Sequence, residues 1–423
     1  MVKYNQMKKM YAFILGTNPA LSVAEIFAVF ERDGYEYSVA DTSNEILLIE
    51  TSGIEGSFLD GLGGTIKIVE ILGTLENKEF DPGKVVEFAS VTIQDLNQES
   101  KGKFHFGISV YELGSPKKIL FRVSRSVRYI YINLKKNLRG DGINLAFVNS
   151  NEKNLSSASV LKNGLVSESG MELSLIVSET QIYAGKTLSV QNIDLYTKLD
   201  MGRPRRDLVS GTTPPKLAKI MINMAEKDKS SVMLDPFCGS GTYLQEMILL
   251  GYGDITGSDI SQKATDDTKE NLEWLQDEVV NEKLNYKVYT ADAKELSGII
   301  SPKTVDAVVG EVYLGPPFRG HTPETQIEST IKELTTLYTD VLSEIGKIIK
   351  DDGVIVLAFP AYKTQRGYQL LPLEEAIAVN GLEFKKSDVK NFSNFFTRRG
   401  TYLYSRESQF VCREIMILTK IVK

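Results

Sequence analysis

Asp235-Pro236-Phe237-Cys238-Gly239-Ser240-Gly241-Thr242 is the stretch on which the fold of the C-terminal half turns. The apolar run Ser231 to Leu234 precedes it and a helical pattern over Thr242 to Leu250 follows, so it reads as the turn from a buried strand into a helix. Gly239 and Gly241 let a ligand approach the backbone and offer amide donors near a helix N-terminus. The spacing is not the G-x-G-x-x-G of dinucleotide sites, and the Lys-Ser/Thr of a P-loop is missing. A nucleoside with an amino-acid tail suits the loop better. Cys238 has no neighbouring histidine to activate it and reads as a small packing residue.

Outward from this loop, helices and buried strands alternate. Pro215 to Ala225 is helical, Ile255 to Asp259 a strand and Gln262 to Trp274 a helix; Asn285 to Thr290, Val305 to Gly310 and Val354 to Phe359 continue the strands. Such alternation predicts a doubly wound parallel sheet, and the closing pair Thr401 to Tyr404 and Gln409 to Leu418 adds an antiparallel hairpin. Two acids end strands where a nucleoside needs them. Asp259 is placed to accept from ribose hydroxyls and Asp292 from an adenine amino group.

The N-terminal half has a different pattern. Tyr11 to Leu15 (strand), Ser22 to Glu31 (helix), Glu45 to Glu50 (strand), a short helix near Leu59 and a strand over Ile66 to Ile71 make one α+β unit, 1–82, ending at the turn-prone Asp81-Pro82-Gly83. A second α+β unit, 83–193, holds strands over Lys103 to Val110, Leu145 to Val148, Leu173 to Val177 and Gln181 to Leu188 around a basic helix from Pro116 to Leu138. Residues 194–213 read as a linker and 214–423 as the α/β domain.

The 423 residues suit several domains, and the composition, 42% hydrophobic and 25% charged, is that of a globular protein. No apolar run approaches the roughly 20 residues of a membrane span. Two cysteines and two histidines argue against a disulfide framework or a structural metal site and for a cytoplasmic setting. The net charge of -6 hides an asymmetry: residues 101–150 hold ten Lys/Arg against Glu112 and Asp141. Arg122, Arg125, Arg128, Lys135 and Lys136 interleave with Tyr129 and Tyr131, a pattern in which cations meet phosphates and rings stack on bases. Arg203, Arg205 and Arg206, with Arg398 and Arg399, could extend the track.

Asp235 to Thr242, Asp259 and Asp292 resemble the first three motifs of class I, Rossmann-like methyltransferases. More narrowly, Pro214-Pro215-Lys216-Leu217-Ala218 with the loop, and the tail Tyr404-Ser405-Arg406 to Arg413-Glu414-Ile415, resemble the THUMP-associated RNA guanine-N2 methyltransferases, which include the tRNA guanine-10 enzymes. The resemblance is specific over Thr212 to Lys423 and architectural before it. It implies a ferredoxin-like piece, a THUMP-like RNA-binding domain and the catalytic domain in that order. It further implies S-adenosylmethionine as donor, held by Thr213, Asp235, Phe237, Gly239, Gly241, Thr242, Asp259, Ile260, Asp292 and Ala293, and tRNA (or rRNA) as partner of a monomeric enzyme.

One motif departs from the family. Where the family carries Asp/Asn-Pro-Pro-Tyr/Phe, Glu311-Val312-Tyr313-Leu314-Gly315-Pro316-Pro317-Phe318 stands here. By strand register Glu311 is the acceptor, with Tyr313 or Phe318 as stacking ring and Arg319 near backbone phosphate. By motif register Gly315 takes the acid's place and the acceptor is lost. The first register predicts an N2-methyltransferase; a DNA amino-methyltransferase, or an RNA-binding pseudoenzyme, is the alternative. His321 reads as a loop residue.

Overall fold

The computed structural model describes residues 8–96, 102–149, 153–206, 213–318, 322–386, 389, 392–406 and 409–421. It divides into two compact units, Met1–Pro19 with Gly34–Gly61 and Thr65–Ile193, and Ala20–Asp33 with Leu62–Gly64 and Asp194–Lys423. Among the described residues no helix is long and apolar enough to cross a membrane.

The first unit opens with β1 (Lys9–Leu15); the helix that follows, α1 (Pro19–Asp33), is counted mostly with the second unit. Then come β2 (Tyr37–Thr42), β3 (Ile46–Thr51), β4 (Thr65–Glu76), α2 (Pro82–Leu96), β5 (Lys103–Leu113), α3 (Lys117–Gly140), β6 (Asn144–Val148), α4 (Ser157–Lys162), β7 (Gly170–Ser178) and β8 (Gln181–Val190). The expected division at residue 82 does not separate two cores. β4 pairs antiparallel with β8, and all eight strands form one sheet in the order β2-β3-β1-β4-β8-β7-β5-β6. The alternating Phe104, Phe106, Ile108 and Val110 of β5 pack with Val85, Val86, Ala89 and Ile93 of α2 and Val123, Ile130, Leu134 and Leu138 of α3. That leaves the basic face of α3 turned outward. Pro82, expected in a turn, instead opens α2, where its missing N–H costs nothing.

The second unit contains α5 (Ile193–Thr197), α6 (Pro215–Asn223), β9 (Val232–Asp235), α7 (Thr242–Leu249), β10 (Asp254–Asp259), α8 (Gln262–Leu275), β11 (Tyr286–Thr290) and β12 (Val305–Glu311). It closes with α9 (Glu324–Ile348), β13 (Ile349–Thr364), β14 (Gly367–Leu370), α10 (Glu374–Val379), β15 (Leu382–Phe384), β16 (Tyr402–Tyr404) and β17 (Val411–Lys420). The sheet runs β11-β10-β9-β12-β13-β17-β15, with β14 on β13 and β16 on β17. β9 to β13 are mutually parallel and β17 is antiparallel to β13, as the closing hairpin predicts. Since β9 lies between β10 and β12, the chain switches sides at β9, and its carboxyl end opens the crevice where such sheets bind ligands. The expected linker 194–213 is partly helical, in α5 and a π-helical turn over Lys198–Gly202.

Candidate active site

The loop after β9 is held from beneath by β10 and α8. The Gly239 amide donates to Asp259 Oδ2 (3.0 Å), the Cys238 amide to the Ser258 carbonyl (2.9 Å), Thr268 Oγ1 to the Gly239 carbonyl (2.7 Å) and Asn271 Nδ2 to the Ser240 carbonyl (2.8 Å). Gly241, at φ +86°, caps α7 in the left-handed region, and a Cβ there would meet Thr268 at 3.0 Å. Cys238 is buried, and burial pushes its thiol up, so it is a packing residue rather than a nucleophile.

Asp235 is fully buried. Its Oδ1 accepts the Phe237 amide (3.1 Å), while Oδ2 has no partner among the described residues. Burial pushes its carboxyl well above the usual carboxylate range, and the charges of Asp259 and Glu311 add to the rise. Asp259 also accepts from the Ser261 amide (2.9 Å), and Asp292 caps the next turn through the Lys294 amide (2.9 Å). Ile260, 71% exposed, offers an apolar surface beside them, whereas Ala293 is buried.

Glu311 is the last residue of β12, and Arg413 of β17 grips it across β13, with Nη2 donating to Oε1 (3.0 Å) and Nε to Oε2. The Val312 amide donates to the Ala358 carbonyl (3.2 Å). In a parallel ladder the donor returned to the Val312 carbonyl would be the amide two residues on, at position 360. That residue is Pro360, which has no N–H, and no described residue donates to the Val312 carbonyl. The next two carbonyls are claimed: Tyr338 Oη donates to Tyr313 and Tyr362 Oη to Leu314 (3.0 Å). Glu311 and the Val312 carbonyl therefore form a pair of acceptors. Of the two candidate stacking rings, Tyr313 is 51% exposed, whereas Phe318 packs on Tyr362, centroids 5.4 Å apart.

Residues 203–380 match the model of the RMKL-like methyltransferase domain (UPF0020). The chain is 30% identical over 145 residues, 34% of its length and 78% of the relative's, to the probable tRNA (guanine(10)-N2)-dimethyltransferase of Methanothermococcus thermolithotrophicus. This chain belongs to the RMKL-like methyltransferase family. It is also 30% identical over 194 residues to the tRNA (guanine(10)-N2)-dimethyltransferase of Methanocaldococcus jannaschii, 44% of this chain and 48% of that one. With a second curated relative covered over 40% of its length, the match spans less than half of these two proteins. TrmN from Thermus thermophilus shares the fold, with a TM-score of 0.54 and 16% identity over 97% of this chain and 99% of that one.

The site fits the donor of class I methyltransferases. S-adenosylmethionine ends in an ammonium and a carboxylate, and the site has an unpartnered atom of matching chemistry for each. Among the described residues Asp235 Oδ2 is an acceptor without a donor, and Arg203, 3% exposed, has Nε and Nη2 without acceptors while Nη1 binds Thr242 Oγ1 (2.8 Å). Arg203 is therefore misplaced on an RNA track. Arg205 is tied to Glu270 (2.7 Å) and Arg399 to Glu414 and Glu374, so neither is a free cation, while Arg206 lies beside Met201 Sδ. Arg319 and His321 lie outside the described residues. Arg125, Arg128, Lys135 and Lys136 are exposed on α3, whereas Arg122, also exposed, donates to the Phe80 carbonyl (2.8 Å). Sequence reasoning gave Pro360, Tyr338 and Tyr362 no role and read Arg413 only as part of the closing tail; the one local signal was the charged Arg413-Glu414 pair ahead of the apolar Ile415 to Leu418.

Proposed function

We propose that this RMKL-like methyltransferase moves the methyl of S-adenosylmethionine to the exocyclic N2 of a guanine in tRNA. The observation that carries this reading is the acceptor pair, Glu311 and the Val312 carbonyl, at the end of the strand neighbouring the donor loop. An exocyclic base amine has its lone pair delocalised into the ring, and two acceptors on its hydrogens orient it for in-line attack. Glu311 and Val312 hold that amine, Tyr313 stacks on the base, and the donor is held by Asp235, Gly239, Asp259, Ile260, Asp292 and Thr213. The donor supplies an electrophilic methyl on its sulfonium; the chain supplies position and exclusion of water. The basic face of α3, with exposed Phe121, Tyr129 and Ile132, binds the RNA as a THUMP-like surface, in a monomeric, cytoplasmic enzyme. Methyl incorporation into unmodified tRNA from its own host, with the product identified as N2-methylguanosine, tests the proposal. No incorporation into tRNA or rRNA overturns it. The altered motif Glu311-Val312-Tyr313 favours one rival, a cofactor-binding pseudoenzyme, for which calorimetry would show donor binding without turnover on any RNA.

A further inference from the structure

Arg413 stands opposite Pro360 on β17, and Ala358, opposite Glu311, is the residue of β13 on the same face as Pro360. The ion pair therefore spans β13, two strand spacings of about 4.8 Å each. Both side chains must be long to close it. An aspartate at 311 is one methylene shorter and falls short of the guanidinium, which gives the glutamate at this position a physical reason. Arg413 itself is buried, with the Tyr404 ring centroid 5.9 Å away. Its flat fork binds both carboxylate oxygens, fixing the plane of the carboxylate as well as its place. Each oxygen keeps a second lone pair for a further donor.

We propose that Arg413 is a positioning residue for the methyl acceptor: it holds the Glu311 carboxylate rigid beside the Val312 carbonyl, so that the remaining lone pairs meet the incoming amine. This rests on the amine-methylation reading. Tyr338 and Tyr362 hold the following two carbonyls, so the acceptor segment is fixed at its side chain and at its backbone. Arg413 reaches no reacting atom; it acts through Glu311. A guanidinium that lay here only to hold the sheet together would matter equally with or without the carboxylate it grips.

The test is a cycle in the full chain: Arg413→Met, Arg413→Lys, Glu311→Gln, Glu311→Asp and the double variant Glu311→Gln with Arg413→Met. Turnover on the tRNA substrate, the dissociation constant of S-adenosylhomocysteine and the melting temperature are measured for each. Arg413→Met is expected to lower kcat on the order of 100-fold, the scale of an acceptor misplaced by about 1 Å, and to leave S-adenosylhomocysteine binding within about twofold. Arg413→Lys, which keeps the charge but not the fork, should recover part of that loss, and Glu311→Asp should behave like Arg413→Met. The double variant should be no slower than the slower single, because the two residues act as one unit. Losses that multiply in the double variant, or an Arg413→Met chain with unaltered kcat, overturn the proposal alone. A wild-type chain that transfers no methyl overturns the underlying reading and this proposal with it. Should Arg413→Met not fold, Arg413→Lys and Glu311→Asp carry the comparison, and unaltered kcat in both overturns it.

Discussion

Gly310, the penultimate residue of β12, lies beside the buried Asp235, and a Cβ added there would stand 2.4 Å from Asp235 Oδ1 and 3.1 Å from its Cγ. Its φ is not in the left-handed region, so alanine suits the backbone and the whole effect of Gly310→Ala falls on that carboxyl group. To regain van der Waals distance the group must withdraw by roughly 1 Å, and the cost of such overpacking is about 1–3 kcal/mol. The withdrawal also removes the acceptor of the Phe237 amide and moves Oδ2 from the place where it would meet the donor's ammonium. A lost hydrogen bond to a charged group weakens binding by about 1.5–3 kcal/mol, or roughly 10- to 150-fold. Calorimetry with S-adenosylhomocysteine should show a loss of this size in a chain that still melts cooperatively. In an Asp235→Ala background the same alanine should cost little more, since the group it displaces is gone. A folded Gly310→Ala chain that binds within about twofold of wild type would refute the role given to Asp235.

Three further outcomes follow from the same geometry. The Asp235 carboxyl is pushed well above its usual range by burial, so the free protein holds its proton at pH values where an ordinary carboxylate has lost it. A ligand ammonium favours the ionised form, so S-adenosylhomocysteine binding should release a proton and tighten as pH rises, read by calorimetry in buffers of different ionisation enthalpy; pH-independent binding contradicts this. Pro360→Ala supplies the missing N–H and should close the ladder onto the Val312 carbonyl. It should lower kcat by about 10-fold or more while moving stability by only about 1 kcal/mol, because the new bond offsets the greater freedom of the unfolded chain; unaltered kcat would show that the carbonyl has no part in turnover. On α3, Phe121→Ala with Tyr129→Ala should weaken tRNA binding by roughly 10-fold or more without altering its salt dependence, whereas Arg128→Ala with Lys136→Ala should flatten the salt slope; filter binding at several salt concentrations distinguishes them.

Periodicity and turn chemistry reveal most of the second unit in the sequence, since β9 to β12 and their loops depend on short-range patterns. The long helix α9 went unread, although Ile327, Ile331, Leu334, Tyr338, Val341, Ile345 and Ile348 recur at helical spacing. β2 was not readable, because it is an edge strand with four exposed residues and no apolar alternation to betray it. The placement of α1 with the second unit could not be read locally either. It depends on Glu25, whose carboxylate accepts the Gly63 and Gly64 amides (2.8 and 2.7 Å) and Asn223 Nδ2 (2.8 Å), and these partners lie far away along the chain. The division of labour among the arginines was hidden for the same reason. Composition shows that Arg203 and Arg399 are cations; only packing shows that one is buried beside Thr242 and the other bound to Glu414.

Two alignments of the acceptor motif were open in the sequence, and the surroundings of Gly315 and Phe318 favour the one proposed above. If Gly315-Pro316-Pro317-Phe318 were the working motif, its first residue would face the substrate. Gly315 instead sits at φ +87° against α9 and β13, where a Cβ would meet Tyr362 Oη at 2.8 Å and Thr330 Cγ2 at 3.1 Å. The Phe318 ring rests on Tyr362. Gly315 and Phe318 thus pack against α9 and β13, while Pro316 and Pro317 between them are exposed. Glu311, by contrast, ends a buried strand, is gripped by Arg413, and is followed by the one carbonyl that Pro360 leaves without a ladder partner. On the proposed reading the late prolines leave the acceptor at the strand end. On that reading the departure lies in how the acceptor is held, a longer carboxylate steadied by Arg413 from the far side of β13.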